Sequence, residues 1–242
     1  MSNTFESFFK KYSGIDIWCF QEVFKLLPTG PVHGSVIHVE GFQVNPDLFN
    51  ALEKYLPSHA GEFCQSFRST YGIASFLNQT ISVIEKGEIL VAKGDWDGAE
   101  SDDDKDHHRK IQWIEMKIQG KMVLIVNAHL THRPAGKQDS EKRLKQSKII
   151  IDFLAMFDCP KILVGDFNLL PDTESVQMIE RSGMRNLVKE YGVTSTRTEL
   201  YTKPLRFADY VFISPGIKVN TFEVLPDIVA DHSPLMLDFD IQ

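Results

Sequence analysis

Residues 160–172 read PKILVGDFNLLPD. A short apolar run with a β-branched component, Ile162 to Val164, predicts a strand covered on both faces. It drives straight into Asp166, and Asn168 follows two positions later, before Pro171 ends the stretch. A carboxylate at the end of a buried strand is costly unless something pairs with it, and a turn former is the ordinary reading of a single such aspartate. Strand alternation aims Asp166 and Asn168 the same way and leaves Phe167 to pack on the opposite side.

Around that strand the chain alternates helical and extended patterns. Asn3 or Thr4 can cap a first helix, with Glu6 completing a capping box after Asn3, and with Phe5, Phe8, Phe9 and Tyr12 on one face and Gly14 closing it. IDIWCFQEV, residues 15–23, is a β-rich stretch that ends in Gln21 and Glu22. Asn45 and Pro46 read as the cap and first position of a helix through DLFNALEKYL. FCQSFRS, GIASFL and TISVIEKGEILVA read as successive strands, and IQWIEMKI with KMVLIVNAHL as a strand pair joined around Gly120. Ser140 leads a helix through SEKRLKQSKIIIDFLAMF, whose Leu144, Ile151 and Leu154 share a face. Thr173 caps a further helix with Gly183 just past its end, and RFADYVFI, KVNTFEVL and PLMLDF complete the pattern as strands. No Pro-, Gly- or Ser-rich linker divides the chain, so one domain over residues 1–242 is expected.

With 43% hydrophobic and 24% charged residues in a chain of 242, disorder is excluded. The formal charge of −7 argues against broad electrostatic binding to nucleic acid and leaves room for a local basic groove. An acidic enzyme can still act on phosphates if a divalent cation supplies the positive charge. Cys19, Cys64 and Cys159 lie in or beside apolar segments without metal-ligand spacing, which reads as buried free thiols in a reducing compartment. The chain has no run of about eighteen apolar residues and no basic start followed by an apolar core. A cytoplasmic protein without membrane insertion is therefore expected. The acidic run in residues 93–110, KGDWDGAESDDDKDHHRK, reads as a solvated loop, since its spacing does not match a calcium loop with glycine at position six.

The polar residues that interrupt or end apolar strands form an ordered set: Glu22 after WCFQ, His129 after IVNA, Asp166 and Asn168 after ILVG, Asp209 inside RFADYVF, and Asp231 with His232 before PLML. Each alone is ordinary. Falling in order at strand ends, they are residues that a rigid sheet could aim at one site. Carboxylates, an amide and imidazoles together suit metal-assisted attack of water on phosphorus: oxygen ligands for Mg²⁺, a base for the water, and donors for the developing charge. Neither GxxxxGK[ST] nor GxGxxG occurs, and no serine or cysteine stands in a recognisable nucleophile setting. A zinc site would favour cysteines or histidines at i, i+4 spacing, whereas His107 and His108 are adjacent.

QE at 21–22, NAHL at 127–130, GDFN at 165–168, ADYVF at 208–212 and ADHSPL at 230–235 resemble the ordered signature of the endonuclease/exonuclease/phosphatase superfamily, the DNase I-like fold, over roughly residues 15–239. GDFN and the DH-x-P ending are its specific parts. The resemblance implies an α/β architecture: a four-layer α/β/β/α sandwich of two mixed sheets with the site along one edge. It implies that Glu22 binds metal with Asp231 as an acidic residue near it, that Asp166 orients or activates the attacking water, and that Asn168 contacts the scissile phosphate. It further implies that His232 acts on the phosphate and water, and that Asp209 hydrogen-bonds that histidine. His129 matches the second histidine of the DNase and sphingomyelinase branches, where apurinic-site endonucleases often carry tyrosine. Arg109 resembles an arginine at the start of the corresponding strand and is taken as substrate-binding.

Two departures stand out. The superfamily's opening strand, with its asparagine, has no counterpart ahead of the first helix, which reads as a shortened start. Ala230 stands where a serine often precedes DH. The expectation is a monomeric hydrolase dependent on Mg²⁺, with Mn²⁺ as substitute, whose substrate is a phosphate ester in nucleic acid, a lipid headgroup or a small molecule. The alternative is a catalytically impaired binding or scaffold protein on the same fold.

Overall fold

The computed structural model describes residues 2–25, 38–39, 42–43, 45, 47–67, 70–94, 108–132 and 136–242. Its elements, in chain order, are α1 (Ser2–Lys11), β1 (Ile17–Phe24), β2 (His38–Val39), β3 (Phe42–Gln43), α2 (Leu48–Tyr55), β4 (His59–Phe67), β5 (Tyr71–Asn78), β6 (Ser82–Ala92), β7 (Arg109–Ile118) and β8 (Lys121–His129). There follow α3 (Glu141–Leu154), β9 (Lys161–Asp166), α4 (Glu174–Arg181), β10 (Arg185–Asn186), α5 (Leu187–Glu190), β11 (Asp209–Ile213), β12 (Ile217–Val224) and β13 (Leu235–Ile241). One sheet has six strands in the order β10-β11-β9-β8-β7-β6. It is parallel at β8/β9, whose connection runs through α3, and is therefore mixed. Across from it lie the antiparallel groups β1-β5-β4 and β12-β13. Among the described residues no strand precedes α1, and β1 and β13 each hydrogen-bond a neighbour on one side only.

Alternation of side chains builds the layers. In β1, Ile17 and Cys19 join the core shared with the large sheet, while Trp18 and Phe20 pack with Phe8 and Phe9 of α1 and Phe49 and Leu52 of α2. In β13, Leu235, Leu237 and Phe239 face the large-sheet core and Met236 faces the aromatic one. Helices α3 and α4 bury Ile150, Phe153, Val176 and Ile179 on the other side of the large sheet. The result is the expected helix, sheet, sheet, helix sandwich.

The interior between the sheets is not purely apolar. Asn127 of β8 and Gln112 of β7 are directly paired neighbours, and both reach across to the smaller sheet. Gln21 Nε2 donates to Asn127 Oδ1 at 2.7 Å, and Asn127 Nδ2 donates to the carbonyls of Phe20 and Ala74, each at 3.2 Å. Ser75 Oγ donates to Gln112 Oε1 at 2.7 Å, and Gln112 Nε2 donates to the Glu62 carbonyl at 2.9 Å. Satisfied buried amides of this kind tolerate one relative placement of the two sheets, because any slip leaves them unpaired.

Several local expectations are corrected. Helix α1 begins at Ser2, so Asn3 and Thr4 lie inside it and do not cap it. Asp47, not Asn45, is the N-cap position of α2; Asn45 Oδ1 accepts the Asp47 N–H at 2.9 Å in a turn, and Pro46 lies outside the described residues. Ser140 does cap α3, accepting the Arg143 N–H at 3.3 Å. On α3, Leu154 is buried and Ile151 packs against the core as expected, whereas Leu144 is not part of that face and Arg143, Gln146, Ser147 and Ile150 are carried inward. Thr173 sits at the N-cap of α4 but bonds the Leu170 carbonyl, and the carboxylate of Asp139 takes the helix N–H groups of Glu174 at 2.7 Å and Ser175 at 3.0 Å. Gln119 and Gly120, with φ of 50° and 80°, make the β7–β8 turn. β10 and α5 were not expected. Most of the acidic loop, residues 95–107, lies outside the described residues. Among those described, no helix is long and apolar enough to cross a membrane.

The amide network gives the first prediction. Asn127→Leu leaves Gln21 Nε2 with only its 3.3 Å bond to the Cys19 carbonyl and takes the side-chain donor from the carbonyls of Phe20 and Ala74, and should lower unfolding free energy by about 2–4 kcal/mol. Urea denaturation measures this. A loss below about 0.5 kcal/mol would show that the network does not hold the sheets in place.

Candidate active site

His129 pairs with Asp166 across β8/β9, and Asp209 pairs with Asp166 across β11/β9. Directly paired residues present their side chains on the same face, so the register alone lines up His129, Asp166 and Asp209 in one row. The row requires β9 to run close to β8. Gly165, at φ +136°, permits this: a Cβ there would sit 1.9 Å from the Ala128 carbonyl oxygen.

Distorted backbone brings in two further residues. A bulge between Phe20 and Val23 puts Glu22 at φ 56°, turning its carboxylate toward the row; Oε1 lies 3.8 Å from His129 Nε2. Tyr71 of β5 hydrogen-bonds that carboxylate. Asn168 has φ 55°, and its N–H donates to Asp166 Oδ1 at 2.8 Å. Strand alternation therefore stops at Asp166: a left-handed turn closed by the aspartate's own oxygen positions Asn168, while Phe167 is buried against Tyr210 and Phe212. Strained positions of this kind persist where surrounding structure over-determines them.

With Oδ1 occupied, Asp166 Oδ2 faces both imidazoles, 3.8 Å from His129 Nε2 and 3.8 Å from His232 Nε2. His232 Nδ1 donates to the two Asp209 oxygens at 2.8 and 2.9 Å, which fixes the ring's orientation. Burial pushes the Asp166 carboxyl up to about 6, against the opposing pull of the nearby His232. Burial would lower His232, but the charge and hydrogen bond of Asp209, with Asp166 adding, raise it to about 9. At neutral pH the row thus holds a carboxylate beside an imidazolium.

The structure brings together Glu22, His129, Asp166, Asn168, Asp209 and His232. Arg109, at the start of β7, is 2% exposed; its Nη2 donates to His132 Nδ1 at 3.2 Å, and its Nε and Nη1 have no partner among the described residues. The carboxylate of Asp231, expected near the metal, is in an ion pair with Arg197. Sequence reasoning missed Tyr71, His132, Lys137, Arg197 and Tyr201. None of them ends an apolar strand, and that was the signal used to collect the others.

Ligand atoms of Asp166, Asp209 and His232 lie within 4.8 Å of one another. Asp209 and His232 are committed to each other, however, with both Asp209 oxygens accepting from His232 Nδ1. The oxygen donors that suit a hard cation are instead Glu22 and Asp166, which both approach His129 Nε2. The exposed Glu22 carboxylate, aimed by strained backbone, fits that role.

The sequence profile of the Endonuclease/Exonuclease/phosphatase family matches residues 2–232. The chain belongs to the endonuclease/exonuclease/phosphatase family. Members of this family are hydrolases acting on phosphoester bonds. No curated protein matches the sequence. Among solved structures, the chain is similar to an endonuclease/exonuclease/phosphatase from Bacteroides vulgatus, with 19% identity over 100% of this chain and 90% of that one and a TM-score of 0.71. It is also similar to a mannosyl-6-phosphatase of Bacteroides thetaiotaomicron (16% identity, 99% and 91% covered, TM-score 0.69) and to D. rerio TDP2 complexed with single-strand DNA product (14% identity, 99% and 91% covered, TM-score 0.67). At these identities the likeness establishes the endonuclease/exonuclease/phosphatase fold.

The Asp209–His232 pair of this family member should carry a pH signature. The folded-state value of His232, about 9, lies above its ordinary 6.5. Its contribution to stability is therefore fully present below about 6.5 and lost as pH rises through about 9. Unfolding free energy should fall by on the order of 3 kcal/mol across that window, and Asp209→Asn should flatten the fall. Urea titrations of both proteins from pH 6 to 9.5 test this; parallel curves would refute it.

Proposed function

We propose that the chain hydrolyses phosphate esters with the aid of a hard divalent cation, Mg²⁺ or Mn²⁺, in a reducing, cytoplasmic setting suited to its three free thiols. One observation carries the reading: the His129–Asp166–Asp209 row, with His232 locked on Asp209 and imidazole nitrogens on both sides of one carboxylate oxygen. A binding protein has no use for a buried carboxylate whose proton affinity is raised to about 6 beside a fixed imidazolium.

Glu22, with Asp166, would hold the cation, which when bound supplies charge stabilisation for the phosphoryl oxygens. The protein's own groups do the rest. Asp166 Oδ2, 3.8 Å from each of two imidazole nitrogens, would accept a hydrogen bond from the attacking water and take its proton. His232, held charged by Asp209, donates from Nε2 to the oxyanion that builds up on phosphorus. Asn168 keeps its amide beside Asp166, donating to the Leu130 carbonyl at 3.4 Å, with its second N–H available to a phosphoryl oxygen. His129, between Glu22 and Asp166, is placed to deliver a proton to the leaving oxygen. Arg109 offers two unpaired guanidinium N–H groups to an anion.

Hydrolysis of p-nitrophenyl phosphate and bis-p-nitrophenyl phosphate with Mg²⁺ tests this. Asp166→Asn and His232→Ala should each lower kcat by about 10²–10⁴-fold with the fold retained by circular dichroism. Glu22→Ala should raise the Mg²⁺ concentration needed for half-maximal rate, and EDTA should abolish turnover reversibly. Absence of turnover of both esters by the wild type, with Mg²⁺ and with Mn²⁺, overturns the reading.

A further inference from the structure

Two loops meet beside Asp166, and an arginine shapes each. Arg143 donates from Nε to the Thr131 carbonyl at 3.0 Å and from its terminal nitrogens to the carbonyls of Gly136 and Gln138, so the chain around Lys137 is folded about its guanidinium. The Lys137 carbonyl accepts the Leu170 N–H at 3.0 Å, which pins this residue to the turn after Asp166 and Asn168. On the other side, Arg206 donates to the carbonyls of Tyr201 at 3.1 Å, Arg197 at 2.9 Å and Thr198 at 2.8 Å. Thr196 Oγ1 accepts the N–H of Asp209 at 3.2 Å, and Arg197 forms a β-bridge with His232. Arg197 is thereby fixed beside the Asp209–His232 pair.

The two loops bring two cations to one ring. Lys137 Nζ lies 5.8 Å from the centroid of Tyr201, and the Arg197 guanidinium carbon lies 4.3 Å from it. Both basic residues are more than nine-tenths buried. Arg197 spends one nitrogen on Asp231 and leaves Nε without a partner, and Lys137 Nζ has no hydrogen-bond partner among the described residues. A lysine kept for structure alone would bond nearby carbonyls, but here those of Gly136 and Gln138 are taken by Arg143. Asp166 and Asp209 attract Lys137 without bonding it. A buried ammonium that lacks an acceptor and sits beside the reacting row is made good by an anionic ligand.

Charge decides which anion. Arg109, Lys137 and Arg197 bring three buried cationic side chains to this side of the site, with Arg109 and Arg197 nitrogens and Lys137 Nζ unpartnered among the described residues. A diester phosphate carries one negative charge, whereas a terminal phosphate, with its second pKa at about 6, approaches two at neutral pH. A terminal phosphate also offers three non-bridging oxygens where a diester offers two, so one remains for the ammonium when the other two face the row.

We propose that Lys137, backed by Arg197 and Tyr201, is an anion subsite for the non-bridging oxygens of a terminal phosphate, and that it makes the chain select phosphate monoesters over diesters. The selection rests on the hydrolase function above; the subsite does not. Calorimetry on the metal-free protein at pH 8 compares inorganic phosphate with dimethyl phosphate. Phosphate should bind the wild type, Lys137→Met should weaken it at least tenfold, and Lys137→Arg should restore part of the loss. Dimethyl phosphate should bind more weakly and ignore the substitution. With Mg²⁺, the ratio of kcat/KM for p-nitrophenyl phosphate over bis-p-nitrophenyl phosphate should fall at least tenfold in Lys137→Met. Phosphate binding unchanged in a Lys137→Met protein of native circular dichroism overturns the subsite, as does dimethyl phosphate binding equal to phosphate. Turnover of both esters at an unchanged ratio overturns the selection and leaves the hydrolase standing. Binding as expected with no turnover of either ester overturns the hydrolase and leaves the subsite standing.

Discussion

The amides that cross between the sheets hold the rest in place. Apolar contact alone would let one sheet slide over the other, because dispersion and hydrophobic burial have little direction. Gln21, Asn127, Ser75 and Gln112 remove that freedom, since all but the half-buried Gln21 are desolvated and each is satisfied in one arrangement. Gln21 is the neighbour of Glu22, and Asn127 stands two residues before His129. The same hydrogen bond that joins the sheets thus sets the Glu22 carboxylate against the imidazole on the opposite sheet.

From that anchor the site is assembled where regular structure ends. Glu22 sits on a bulge, Asn168 in a left-handed turn, and Asp166 one residue after a glycine that alone lets two parallel strands touch. Each departure carries a conformational cost, of order 1–3 kcal/mol for a left-handed non-glycine residue. The cost is offset by two packed cores and by local bonds such as that from Asn168 N–H to Asp166. A regular strand would carry Asn168 away from the carboxylate it now accompanies.

The layered fold and the strand-end acids were legible because both depend on apolar pattern. Runs such as Ile162 to Val164 and Met122 to Val126 announce buried strands, and a carboxylate or imidazole terminating one is visible by contrast. Buried cations are not visible in that way. Arg143 and Lys137 occupy stretches that read as solvated helix or loop, and what buries Arg143 is the supply of backbone carbonyls from a loop whose shape sequence does not reveal. The same blindness left Arg143, Gln146 and Ser147 off the expected face of α3 and gave the capping of α4 to Thr173 when Asp139, far away in sequence, performs it. Asp231 matched its motif, yet in space its carboxylate belongs to Arg197.

The segment from Thr131 to Ser140 serves several masters at once. Its carbonyls saturate the Arg143 guanidinium, Asp139 caps the start of α4, Ser140 caps the start of α3, and the Lys137 carbonyl is tied to Leu170. Between Gly136 and Ser140 a chain so committed has no spare length. Adding or deleting a residue there would unfasten two helices together with the wall of the site, so this part of the protein can diversify by exchanging side chains but hardly by insertion. Lineages built on this arrangement would be expected to drift in charge at position 137 while its spacing from His129 and Arg143 stays constant.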